Sequence, residues 1–139
     1  MPEDLDGIIG SAGASEAEAW DLPATQECIR VFEEATDITV VPSTEVPDGD
    51  SDWFGGINIF CPVLQLFELV ADAAGPDLTH ESFLAAAESL GEIEIHGQVF
   101  ASLGPGKYDA ADAIRLTVFD STVGANGGET PYGPLTAVS

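Results

Sequence analysis

Cys61-Pro62-Val63-Leu64-Gln65-Leu66-Phe67-Glu68-Leu69-Val70-Ala71-Asp72-Ala73-Ala74 is the stretch that decides the reading of this chain. Almost every residue is apolar, and the exceptions Gln65, Glu68 and Asp72 fall at i, i+3 and i+7. That spacing draws one narrow polar stripe on a helix that needs cover on its other sides. Pro62 suits a first helical turn, where its missing N–H is not required, and Gly75-Pro76 supplies a left-handed terminator followed by a breaker.

Working outward, Thr79 is an N-cap for a second helix whose apolar face is Phe83, Leu84, Ala87 and Leu90 and which Gly91 closes. Beyond Gly91 the period changes from helical to alternating. Ile93 and Ile95 alternate with Glu92, Glu94 and His96; Gln98 to Leu103 and Ala113 to Asp120 have strand composition. Gly104-Pro105-Gly106 and Tyr108-Asp109 are turn chemistry between those last two runs, which predicts that they pair antiparallel.

Four runs carry a family resemblance. They are Cys61-x-x-Leu64-x-Leu66-Phe67; Ala73-Ala74-Gly75-x-x-Leu78-Thr79-x-x-Ser82-Phe83; Ala86-x-x-Ser89-Leu90-Gly91; and Leu103-Gly104-Pro105-Gly106-Lys107-Tyr108-Asp109-Ala110-x-Asp112. In this order they resemble the closing part of the type I periplasmic-binding-protein family, the Leu/Ile/Val-binding-like receptors of ABC transporters. Leu5-Asp6-Gly7-Ile8-Ile9-Gly10, followed by a loop and a helix around Cys28, is similar to the segment before it. The resemblance covers Leu5 to Asp120.

It implies an α/β fold, the C-terminal segment of a periplasmic-binding-protein-like architecture, with about three helices and both parallel and antiparallel strands. Residues 1–139 would then be a single partial domain of a two-lobed receptor whose N-terminal lobe lies outside this sequence, with 121–139 a flexible tail; independently, Pro42, Pro47, Gly49, Gly55 and Gly56 bracket Val41 to Gly56 as a long loop. The implied activity is passive capture of a small polar solute, such as an amino acid or amide, for delivery to an ABC permease, with no cofactor and no chemistry on the ligand. The segment before the long helix faces the interlobe cleft in such receptors, making Trp53, Phe54 and Asn58 the ligand-binding candidates. Extracytoplasmic localisation follows from the same resemblance. Met1-Pro2-Glu3-Asp4 is acidic and Gly7 to Gly13 is too short for a secretory core or a membrane span, so a signal would belong to the missing front. The competing reading is a self-contained small acidic interaction protein.

Composition narrows the partners. With 25 Asp and Glu against 3 Lys and Arg, the net charge is −22. No cluster of cations exists to neutralise phosphates, which argues against nucleic acid and anionic lipid as partners. Asp48-Gly49-Asp50-Ser51-Asp52 begins like a calcium loop, but Trp53 and Ile59 stand where an EF-hand needs Gly and Glu.

Catalytic motifs do not assemble. His80-Glu81 begins like a zinc-protease helix, yet Leu84 replaces the second histidine; Gly106-Lys107 lacks the rest of a P-loop; Ser11 has no evident partner. An enzyme would need a polar cleft around His80 or His96. Two histidines and two cysteines at unrelated spacing do not suggest a metal site. Cys28, on a helix face with Phe32 and Ala35, and Cys61 suit either small core residues or a disulfide. A bond between them would contribute roughly 4 kcal/mol in the chain-entropy model and tie down both flanks of the 41–56 loop.

Overall fold

The computed structural model describes residues 2–123 and 128–138. After a 3-10 turn at Pro2–Leu5, the elements run β1 (Ile9–Ala12), α1 (Glu16–Ala19), α2 (Pro23–Thr36), a 3-10 turn at Ser43–Glu45, α3 (Trp53–Ala74) and α4 (His80–Ser89), then β2 (Gly91–Glu92), β3 (Ser102–Leu103), β4 (Ala113–Asp120), β5 (Gly128–Pro131) and β6 (Thr136–Ala137). The chain is a mixed helix-and-sheet protein.

The long helix starts at Trp53 rather than Cys61 and runs for 22 residues. Asp52 is its N-cap, accepting a hydrogen bond from the Gly55 N–H at 2.8 Å. Trp53, Phe54, Gly55 and Gly56 are therefore helical, and the loop expected over 41–56 ends at Asp52. Pro62 lies inside the helix, not in its first turn, and has no N–H to donate to the Asn58 carbonyl one turn earlier. Tertiary packing along both halves of α3 supports the helix through this gap.

The second helix follows its sequence signals closely. Thr79 accepts from the Ser82 N–H at 3.1 Å, while Ser82 Oγ accepts from the Thr79 N–H at 2.9 Å, a capping box with serine in the usual glutamate position. Gly91, with φ 68°, stands just past Leu90.

The strands differ from expectation in partner and, apart from β4, in extent: the alternating run at Ile93–His96 is not a strand, and of Gln98–Leu103 only Ser102–Leu103 is one. β4 spans Ala113–Asp120, but it does not pair with the run ending at Leu103. It is the centre of a 4-stranded sheet, with β1 in register from Ile9↔Val118 to Ala12↔Arg115, β5 from Thr117↔Pro131 to Asp120↔Gly128, and β6 at Ala113↔Ala137. β3 instead pairs with β2, Gly91↔Leu103 and Glu92↔Ser102, and a lone bridge, Ala101↔Ala111, links it toward β4. The intervening turn is held inward by Lys107, whose ammonium donates to the Ser102 carbonyl and hydroxyl, each at 2.9 Å, and pairs with Asp112.

Every strand pair among the described residues is antiparallel, so the parallel strands of the expected fold do not occur there. Residues 128–137, expected to be flexible, supply β5 and β6; 124–127 and 139 lie outside the described residues.

Two cores flank α3. Val70 packs with Ala86, Ile95, Ala101, Leu103 and Ala110 at one end. Phe54 and Ile57 pack with Cys28, Ile29 and Val40 at the other. The face between is open: Ile59, Phe60, Val63, Leu64 and Phe67 are 56–68% exposed. Gln65 of the supposed polar stripe turns inward instead, donating to the Ala24 carbonyl at 2.9 Å and accepting from the His96 N–H at 2.6 Å. Among the described residues the cover that this apolar helix requires is thus supplied along one side only.

Candidate functional site

Extending α3 back to Trp53 brings Phe54, Asn58, Cys61 and Gln65 onto one stripe at intervals of about one turn. This stripe meets α2 and the segment after β2. Beside them, α3, the segment after β2 and the start of α1 enclose a polar notch of about 260 Å³ whose lining includes Ser15, Glu16, Phe54, Asn58, His96 and Gln98.

His96 is the buried centre of the notch, at 1% exposure. Its Nε2 lies 2.5 Å from Asn58 Oδ1. Because a carbonyl oxygen only accepts, Nε2 carries the proton in that bond. Among the described residues Nδ1 has no partner within hydrogen-bond geometry. Burial pushes the imidazole pKa below its ordinary 6.5, while the Thr25 backbone carbonyl pulls the other way. Thr25 also anchors the next residue, its hydroxyl accepting from the Gly97 N–H at 3.1 Å. The ring stacks at an angle on Phe54, centroids 5.7 Å apart, and Phe54 in turn lies 4.8 Å from Trp20.

The predicted ligand residues divide between two places. Asn58 is exposed at the notch and Phe54, 1% exposed, forms its floor. Trp53 points elsewhere: it lies 5.7 Å from Phe32 and lines an apolar groove of about 680 Å³ between α2 and α3, with Val31, Phe60 and Leu64. His96, considered in the sequence only as the centre of an enzyme's cleft, and Gln65, assigned there to a polar stripe, are the residues whose place at this site the sequence reading does not provide. The available signal was the repeat Phe54, Asn58, Cys61, Gln65, which becomes visible only when the helix is begun at the Asp52 cap.

Cys28 and Cys61 are joined as a disulfide, with Cα atoms 6.3 Å apart across a sequence separation of 33. That separation lies within ordinary disulfide geometry. The bond pins α2 to α3 beside the notch, and a bond of this kind suits an oxidising compartment.

All three cationic side chains are engaged. Arg30 bridges Glu27 and Glu34, Lys107 pairs with Asp112, and buried Arg115 pairs with Glu18. Glu18 is pulled down to about 2, first by Arg115 and then by its bonds to Ser15. Lys107 and Ser102 lower Asp112 in the same way. By length and composition α3 alone among the described helices could cross a membrane, yet its inward stripe is committed to the disulfide and to His96 and Ala24.

Comparison with protein families, with curated proteins and with solved structures finds no match to this chain.

Proposed function

We propose that this chain is the closing segment of an extracytoplasmic solute-binding receptor of the type I periplasmic-binding kind, which presents a small polar solute to an ABC permease. The observation that carries this reading is the open apolar face of α3, where Ile59, Phe60, Val63, Leu64 and Phe67 stand in solvent. Contiguous apolar surface of this kind marks an interface. In the proposed receptor the remaining lobe covers it and supplies the parallel strands absent from the described sheet. The disulfide accords with an oxidising compartment, and the full engagement of all three cations accords with a solute rather than nucleic acid as the ligand.

In this reading Phe54 and Asn58 contribute apolar cover and a fixed amide to the cleft, and Trp53 closes its edge. The notch around His96 is the feature that an enzyme reading would use. Its ring is buried and its Nε2–H is committed to Asn58, which suits a strut between elements better than a proton carrier. The second reading, a self-contained acidic interaction protein, is favoured by the same apolar face if its natural cover is a different protein.

Calorimetry separates the two. The isolated chain is expected to bind amino acids no tighter than about millimolar, because it supplies few of the converging contacts. Joined to the coding sequence upstream of Met1, it is expected to recover binding, and Trp53→Ala there to weaken it by about 1 kcal/mol or more. A stop codon directly upstream, or no recovery, overturns the receptor reading.

A further inference from the structure

Separated in sequence, Cys28, Cys61 and His96 converge in space: both Sγ atoms and a ring nitrogen of His96 lie within 4.8 Å of one another. We infer that this triad is a redox-gated zinc site, closed while Cys28 and Cys61 are bonded and able to take Zn²⁺ once a thiol reductant opens the bond.

The geometry suits the ion. Tetrahedral zinc with thiolate and imidazole ligands sets its donors about 3.5–4 Å apart, from Zn–S near 2.3 Å and Zn–N near 2.0 Å. The donors are already almost that close. His96 also has a nitrogen to spare. Nε2 is engaged by Asn58 Oδ1, and Nδ1, a buried polar atom with no hydrogen-bond partner among the described residues, is the nitrogen left to coordinate. A carbonyl oxygen that fixes the tautomer of a histidine from its far nitrogen is the usual support of a metal-bound imidazole.

The reaction balances simply. Two equivalents of a monothiol reduce the disulfide to two thiols and leave as their own disulfide. Zinc then displaces one proton from each thiol to solvent, giving a neutral dithiolate–imidazole complex whose fourth position is open to water. Neutrality matters here, because Cys28 and His96 are both buried and an isolated charge would be costly. Both cysteines line the α2/α3 groove, which gives reductant and metal a path from solvent.

The test uses the full chain, reduced with a phosphine, and Co²⁺ alone as a spectroscopic stand-in. One equivalent should give thiolate-to-cobalt charge transfer with the visible bands of a tetrahedral ion; Zn²⁺ should bleach both. The oxidised chain, which keeps every surface carboxylate, should give neither. His96→Gln should weaken Co²⁺ about tenfold or more. X-ray absorption on the zinc-loaded wild type provides a second measurement that does not depend on the folding of that variant, and it is expected to count two sulfurs and one imidazole. Absence of the charge-transfer band in the reduced chain, for whatever reason, overturns the inference. So does equal binding by the oxidised chain, or a zinc shell of oxygen ligands alone.

Discussion

Asn58 Oδ1 accepts a hydrogen bond from His96 Nε2 at 2.5 Å, joining the first half of α3 to a residue 38 positions further along the chain. The histidine is almost fully buried while the asparagine is exposed, and among the described residues the Asn58 amide is the one side chain that hydrogen-bonds the imidazole. Asn58→Ala should therefore destabilise by about 1–3 kcal/mol, the cost of a buried donor left unpaired. Thermal melting of the variant should show a loss of several degrees; an unchanged midpoint would mean that water replaces the amide at no cost.

Acid should lower the stability of the chain in two windows. Folding holds His96 below its ordinary 6.5, so the unfolded state binds a proton that the folded state resists. Stability from this residue is full above 6.5 and falls as pH drops below it. His96→Gln should flatten that limb of a stability-versus-pH curve.

Glu18 governs the lower window. Its folded pKa of about 2 lies beneath the ordinary 4.5, so its contribution is present above 4.5 and disappears as pH falls toward 2. The carboxylate is partly exposed and solvent-screened, so the effect should be modest. Denaturant melts of Glu18→Gln should match the parent at pH 2 and fall below it at pH 7.

The disulfide offers a third test. Mass spectrometry without reduction should recover the Cys28 and Cys61 peptides linked. Reduction should lower the melting temperature by on the order of 10 °C, from roughly 4 kcal/mol of chain entropy. Free thiols after preparation under oxidising conditions would exclude the bond.

The open face of α3 should make the isolated chain bind apolar dyes or self-associate. Phe60→Lys with Leu64→Lys should reduce both without lowering the melting temperature, since neither side chain belongs to a core cluster. A parent that is monomeric and silent to dye would show that this face needs no partner.

Local signals carried the elements whose boundaries are written in capping and turn chemistry. Thr79, Ser82 and Gly91 delimit α4 because their hydrogen bonds and conformations involve only neighbours. Ala113–Asp120 reads as a strand because its β-branched and aromatic residues suit a pleated surface wherever it pairs. The start of α3 departs from its local signals: Pro62 signals a helix beginning and Gly55-Gly56 a loop, and both preferences yield to burial of Phe54 and Ile57.

Composition and charge, then, are properties of the sequence alone, as are two of the helices and the central strand. Which strands pair, which way Gln65 faces, and the meeting of Cys28, Cys61 and His96 were decided only by tertiary structure. The physical reason is range. A cap or a turn is settled within a few residues, but the register of β4 with β1 and the bond from Asn58 to His96 depend on elements far apart in sequence coming to share one buried volume.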